Sequence, residues 1–165
     1  MRISHYPSVS AFLRSLRPRA DRRPFGSCCH QITNGVRVTR KGERLMLVYI
    51  SGPYSAASAE EVRHNVARAM EAARMVYMKG HIPIVPHLTH FLHLYWVSKD
   101  TRAPKIFWLK HDVHLLQGCD VILMLSGWSK SDGARQELAW ARDLNINACF
   151  SVNELPTINR GGISP

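Results

Sequence analysis

The chain has 165 residues, 45% of them apolar, with 22 Lys and Arg against 12 Asp and Glu for a formal charge of +10. That size suits one domain with a real core and excludes a multidomain machine, a disulfide miniprotein and a fibrous repeat. No apolar run approaches the ~18–20 residues a membrane helix needs, so no membrane association is expected. Taken whole, the charge points to nucleic acid or an anionic surface.

The charge is uneven. Residues 1–45 hold ten basic residues against Asp21 and Glu43, a net of +8, while residues 46–165 carry only +2. The first segment has Pro7, Pro18 and Pro24, scattered Ser and no sustained period of 3.6 or 2, so poor order is expected there. It reads as a basic nucleic-acid arm, as an Arg- and Ser-rich transit peptide, or as sequence upstream of the natural start. Lys41-Gly42-Glu43 is what a purine-rich bacterial ribosome-binding site gives when translated, and Met46 follows at a suitable spacing. The third reading is preferred. It makes 1–45 an extension, 46–155 the domain and 156–165 a C-terminal tail, and it removes nucleic acid as an expected partner. No CxxC is present, and the cysteines fit small core residues of a reducing cytoplasm.

Residues 45–51 (LMLVYIS) form a short apolar run, as a strand covered on both faces requires. Gly52-Pro53 breaks it, and Ser58-Ala59-Glu60-Glu61 is a capping box. Val62, Val66, Ala69, Met70, Ala73, Val76 and Tyr77 then keep a helical stripe up to Gly80. Residues 82–85 make a second strand. From His87 to Ala103 the sequence reads as a longer connection of His, aromatic and turn residues. Pro104 opens a helix running to about Gln117, with Gly118 as its stop. Residues 120–125 (DVILML) are the third strand, 132–144 a further helix and 146–151 the fourth strand; the tail carries weak signals.

Strands alternating with helices imply crossover connections and a parallel sheet. The expected fold is α/β: a three-layer α/β/α sandwich, Rossmann-like or flavodoxin-like, of four to five strands in the order 2-1-3-4. Ligands bind such sheets at the carboxyl ends of the strands where the order reverses, here between strands one and three. The loops at that place are 51–54 and 126–131. The second runs into a helix N-terminus, whose free N–H groups favour phosphate.

Two carboxylates stand among apolar positions. Glu137 falls inside the stripe of Ala134, Leu138, Ala141 and Leu144, where a carboxylate costs several kcal/mol unless it is hydrogen-bonded or used. Asp112 lies among Trp108, Leu115 and Leu116. Either alone is explicable as a satisfied acid at the core edge. Together, on helices flanking the third strand, they suit the division of labour at glycosidic centres: one is nucleophile or cation stabiliser, the other proton donor. Asp120 begins the third strand, at the amino end of the sheet, and reads as structural. His87, His90, His93, His111 and His114 do not gather three ligands on one helix face and include no HExxH, so no metal is expected. His87 follows the second strand and can line the crevice.

Tyr49-Ile50-Ser51-Gly52-Pro53-Tyr54, Pro86-His87-Leu88-Thr89-His90-Phe91, Trp108…Asp112…Leu116, Cys119-Asp120 and Ser131-Asp132-Gly133-Ala134…Glu137…Ala141 form a set. Through it the chain from Met46 to about Leu155 resembles the nucleoside 2-deoxyribosyltransferase superfamily. That superfamily includes 2′-deoxynucleoside 5′-monophosphate N-glycosidases and a bacterial and phage branch of unassigned function, to which the likeness is greatest.

The resemblance implies that Glu137 attacks the anomeric carbon and that Asp112 assists departure of the nucleobase, with no cofactor. Gly52 and Tyr54 lie in its sugar-binding first loop with Pro53 between them, and His87, Trp128, Ser131 and Gly133 complete the substrate-binding candidates. Trp128 either stacks a base or covers its loop. Six residues before the nucleophile, the nucleoside transferases place an Asp and the nucleotide hydrolases a Ser, so Ser131 implies a nucleoside 5′-monophosphate. The first loop lacks the arginine of those hydrolases, leaving Arg63 or Lys130 to replace it. A cytoplasmic homo-oligomer, dimer or higher, acting on a nucleotide or nucleoside is therefore expected. The alternative on the same residues is a non-catalytic nucleotide-binding or sensing module.

Overall fold

The structure, a computed structural model, describes residues 43–97 and 105–158, with the backbone of 32–33 and 36–37. The expectations for most of residues 1–45, for Pro104 and for the end of the tail lie outside the described residues, as do the side chains of His90, Ile106 and Leu109. Ile32–Thr33 and Val36–Arg37 pair as a two-residue antiparallel ladder.

Four strands form one sheet: β1 (Leu47–Ser51), β2 (Ile82–Ile84), β3 (Val121–Met124) and β4 (Asn147–Cys149). The order is β2-β1-β3-β4 and every pairing is parallel, with Tyr49 opposite Ile84 on one side and Ile122 on the other. This is the α/β fold and strand order expected from the sequence. The helices are α1 (Ala59–Met78), α2 (Thr89–Val97), α3 (Lys105–Gln117) and α4 (Asp132–Asp143).

Strand alternation divides the core into two. Val48, Ile50, Val121 and Leu123 meet Ala69, Ala72, Ala73 and Val76 of α1. On the other face Tyr49, Ile122 and Met124 meet Val113 and Leu116 of α3 and Ala134, Leu138 and Ala141 of α4. Burial on both faces explains why β1 and β3 read as unbroken apolar runs. Leu45 is 1% exposed and belongs to the core, one residue ahead of Met46.

Helix α1 starts where the capping box places it: Glu61 N donates to Ser58 Oγ at 3.1 Å and Ser58 N donates to Glu61 Oε2 at 3.1 Å. Its buried face is rotated from the expected one. Met70 and Tyr77 are 45% and 43% exposed, and Ala72 is buried in their stead. The physical reason is size, because a line of alanines lets the helix approach the sheet closely and moves the long side chains to its edge.

The stop at Gly80 has two causes. Its φ is +88°, and a Cβ there would collide with the Ile158 side chain and carbonyl. The chain end packs across this turn. Lys79 Nζ donates to Leu155 O at 2.7 Å, His81 Nε2 lies 2.8 Å from Pro156 O, and Ile158 N donates to Lys79 O at 2.9 Å. Leu155, Pro156 and Ile158 thus all contact the turn that follows α1.

The longer connection expected after His87 is largely helix. A 3₁₀ turn at Pro86–Leu88 leads straight into α2, with Thr89 Oγ1 donating to Pro86 O at 2.8 Å. The segment THFLHLYWV is apolar on all sides, so it has no stripe from which a 3.6 period could be read. Its inner side joins α3 through rings, with Trp96 5.4 Å from Trp108 and His93 5.8 Å from Trp108.

Candidate active site

Glu137 sits in the middle of α4, facing the carboxyl half of β1. Tyr49 Oη donates to Oε1 at 2.8 Å and Ser51 Oγ donates to Oε2 at 2.5 Å. Each carboxylate oxygen therefore carries one hydroxyl donor. Burial pushes the Glu137 carboxyl up to about 7; Asp112 adds to that rise, and the Ser51 and Tyr49 hydrogen bonds oppose it. The Tyr49 phenol is held well above its ordinary value, first by burial and then by Glu137 and Asp112.

Asp112 comes from α3, which packs beside α4. Its side chain is 20% exposed and accepts from His111 Nδ1 at 3.2 Å. Burial pushes the pKa of its carboxyl up from the ordinary value, and the His111 contact opposes the rise. Asp112 adds to the cost of ionising Glu137, so the charge on one acid bears on the proton affinity of the other. Asp120 is remote from this pair: its Oδ2 accepts from Leu47 N at 2.7 Å and its Oδ1 lies 3.8 Å from Arg44, at the amino end of the sheet.

The loops after β1 and β3 rest on each other. A Cβ on Gly52 would lie 2.9 Å from Leu125 Cβ, and one on Gly127, whose φ is +86°, would lie 3.3 Å from Pro53 Cγ. Both loops are tied to α1, by Asn65 Nδ2 donating to Tyr54 O at 3.2 Å and Arg68 Nη2 donating to Ser126 O at 2.8 Å. His87 is 6% exposed and its Nε2 lies 3.2 Å from Pro53 O. A carbonyl can only accept, so Nε2 carries the proton. Burial lowers the imidazole's pKa, against the Pro53 and Gly52 carbonyls, and favours the neutral ring. Its Nδ1 is then a bare acceptor without a hydrogen-bond partner among the described residues. Tyr54 meets the His87 ring edge-on at 6.1 Å.

Ser131 is the N-cap of α4, its Oγ accepting from Ala134 N at 3.3 Å. It precedes Glu137 by six residues, about 9 Å along the helix axis. Asp132 pairs with Arg135, which turns its charge toward that guanidinium. Gly133 is exposed, and a Cβ there would meet only Ser131 Oγ at 3.9 Å. Trp128 is half-buried against the α3/α4 core and lies 5.7 Å from the exposed Phe150.

The sequence-derived candidates thus fall into three groups: Glu137 with Asp112; Gly52, Pro53, Tyr54 and His87; and Trp128, Ser131 and Gly133. Sequence reasoning missed Tyr49 and Ser51 as partners of Glu137, although hydroxyls at i and i+2 of an apolar strand share one face. It also missed Arg68, the α1 cation that reaches the second loop; Arg63 and Lys130 are exposed. Among the described residues no three of His, Cys, Asp and Glu are grouped to hold a metal ion. The arrangement offers a desolvated carboxylate, a second carboxyl able to exchange a proton, and a helix N-terminus on one side of the sheet's carboxyl end.

Among curated proteins nothing matches the chain. Among solved structures, a 2-deoxyribosyltransferase from the psychrotolerant bacterium Bacillus psychrosaccharolyticus is similar at 17% identity and a TM-score of 0.41, over 62% of this chain and 69% of that one. A family model matches residues 46–151, and the chain belongs to that family, the Domain of unknown function DUF7768.

Proposed function

We propose that this protein cleaves the N-glycosidic bond of a nucleoside 5′-monophosphate or nucleoside, as an N-glycosidase or deoxyribosyltransferase-like enzyme. The observation that carries the reading is the Glu137–Asp112 pair, desolvated together, with Tyr49 and Ser51 donating to Glu137. A Glu137 oxygen attacks C1′ as the C1′–N bond breaks. The bonding pair leaves on the base nitrogen, which takes the proton from Asp112. Asp112, now ionised, deprotonates a water or a second base, whose attack on C1′ expels Glu137 and restores both acids.

Gly52, Pro53, Tyr54 and His87 hold the sugar side, with His87 Nδ1 able to accept from a hydroxyl. Ser131 and Gly133 at the α4 N-terminus receive the 5′-phosphate, and Trp128 borders the base. The exposed apolar side chains of α2, among them Phe91, Leu94 and Tyr95, support assembly as a homo-oligomer, which light scattering on the purified chain tests. A cytoplasmic location belongs to the same proposal; no helix among the described residues is long and apolar enough to cross a membrane.

The deciding experiment incubates the full chain with a panel of nucleosides and nucleoside 5′-monophosphates and reads free base by mass spectrometry. Release by the unsubstituted chain and none by Glu137→Ala is expected. Tight binding with the ligand recovered intact would instead assign a binding module. Equal release by Glu137→Ala would overturn the assignment of the nucleophile.

A further inference from the structure

Ser51 ends β1, is fully buried, and presents its side chain on the Tyr49 face. Its backbone has no room to adjust. Leu125 N donates to Ser51 O at 2.8 Å, and the following Gly52 is pressed against Leu125. From this fixed point Oγ reaches Glu137 Oε2 at 2.5 Å, nearer than the Tyr49 hydroxyl comes to Oε1. A serine that only filled space would not need its hydroxyl aimed at a half-buried carboxylate.

We propose that Ser51 is a positioning residue for Glu137: its hydroxyl fixes the carboxylate's orientation and favours the arrangement in which the catalytic proton rests on Asp112 and not on Glu137. The proposal rests on the glycosidase reading above. The glycosidase reading needs one proton on the two acids, and only with that proton on Asp112 are an ionised nucleophile and a protonated donor both ready to act. An O–H donor stabilises a carboxylate and not a carboxylic acid of the same geometry, so each donor on Glu137 shifts the proton toward Asp112. The groups facing Glu137 are Tyr49 and Ser51 from β1 and Asp112, with His111 beside it, from α3; on α4 itself the Asp132–Arg135 pair stays at the exposed first turn. Of these, Ser51 and Tyr49 are the groups that hydrogen-bond to it directly.

The test is Ser51→Ala in the full chain, with kcat/KM followed against pH. Loss of the donor makes Glu137 hold its proton about one pH unit more tightly and depletes the productive arrangement about tenfold. Plateau kcat/KM therefore falls about tenfold while the alkaline limb, set by loss of the pair's last proton, moves up by about one pH unit. Ser51→Cys, similar in shape and a weaker donor, should fall between. Carbon-13 NMR of the glutamate-labelled chain, with Glu137 assigned through Glu137→Gln, should show the same upward displacement of the Glu137 midpoint without any turnover. A loss of activity with both the alkaline limb and the Glu137 midpoint unmoved would reduce Ser51 to packing and overturn the proposal. If Ser51→Ala does not fold, Ser51→Cys carries the same two readouts. If the unsubstituted chain releases no base from any nucleotide, the function reading fails, and the carboxyl titration still judges Ser51.

Discussion

Along β1, Val48 and Ile50 face α1 while Tyr49 and Ser51 face α3 and α4. The first pair meets alanines and valines and makes no polar contact with its side chains. The second pair donates to a carboxylate on the helix opposite. One strand thus contributes a dry face and a polar one, separated only by the alternation of its side chains. The difference is one of tolerance: the α1 face can lose a methylene and keep its chemistry, whereas the α3/α4 face holds ionisable groups whose proton affinities depend on every neighbour.

The widest separation between the faces is expected in activity. Glu137→Ala should lower base release by about 10⁴-fold or more, because it removes the nucleophile itself. Asp112→Asn should cost less, about 10²- to 10³-fold, and the loss should shrink on a nucleotide whose base is already cationic, such as an N7-methylated purine, since such a base leaves without a proton. Steady-state assays on matched substrates check both. An equal loss on the cationic and neutral bases would remove Asp112 from the role of proton donor.

How far the two faces could be read from sequence differs for a physical reason. The strand order, the start of α1 at Ser58 and the positions of Glu137 and Asp112 are local signals, carried by apolar runs, a capping box and carboxylates that break a stripe. Tyr49 and Ser51 are also in plain view, but their meaning depends on a helix nearly ninety residues later in the chain. A tyrosine in an apolar strand is ordinary core until its partner is known. Arg68 was hidden the same way, since its target is the Ser126 carbonyl and no side-chain pattern encodes a carbonyl. Helix α2 escaped because a segment apolar all round has no period, and the rotation of α1 escaped because hydrophobicity ranks Met70 above Ala72 while close packing prefers the smaller residue.

Stability should separate the faces in a different way. Ile50→Ala, on the α1 side, should cost about 3–4 kcal/mol at any pH, since it removes buried methyls and leaves a cavity. Glu137→Gln should do the opposite at high pH. The folded carboxyl titrates at about 7 against an ordinary 4.5, so the folded state holds the proton more tightly than the unfolded one. Stability is then full below about pH 4.5 and is lost as pH rises through about 7. Glu137→Gln escapes this loss and should be more stable than the unsubstituted chain by about 2–3 kcal/mol at pH 8, with the advantage vanishing below about pH 4.5. Urea unfolding at pH 4 and pH 8 measures both. A Glu137→Gln difference independent of pH would mean that the carboxyl is not desolvated.

The smallest effect concerns the rotation of α1. With Met70 in the buried stripe, Met70→Gln would strip a large side chain from the core and cost several kcal/mol; with Met70 at the exposed edge, it should fall within about 0.5 kcal/mol of zero. Ala72→Gln reverses the contrast. Ala72 is buried against the sheet, so the longer side chain should overpack that contact and cost about 1–3 kcal/mol. Neither substitution lies on the α3/α4 side, so neither should move the pH dependence of base release. A Met70→Gln variant that unfolds readily while Ala72→Gln does not would return α1 to the orientation its hydrophobicity suggests. A shift in the pH profile from either would show that the sheet transmits packing changes from one face to the other.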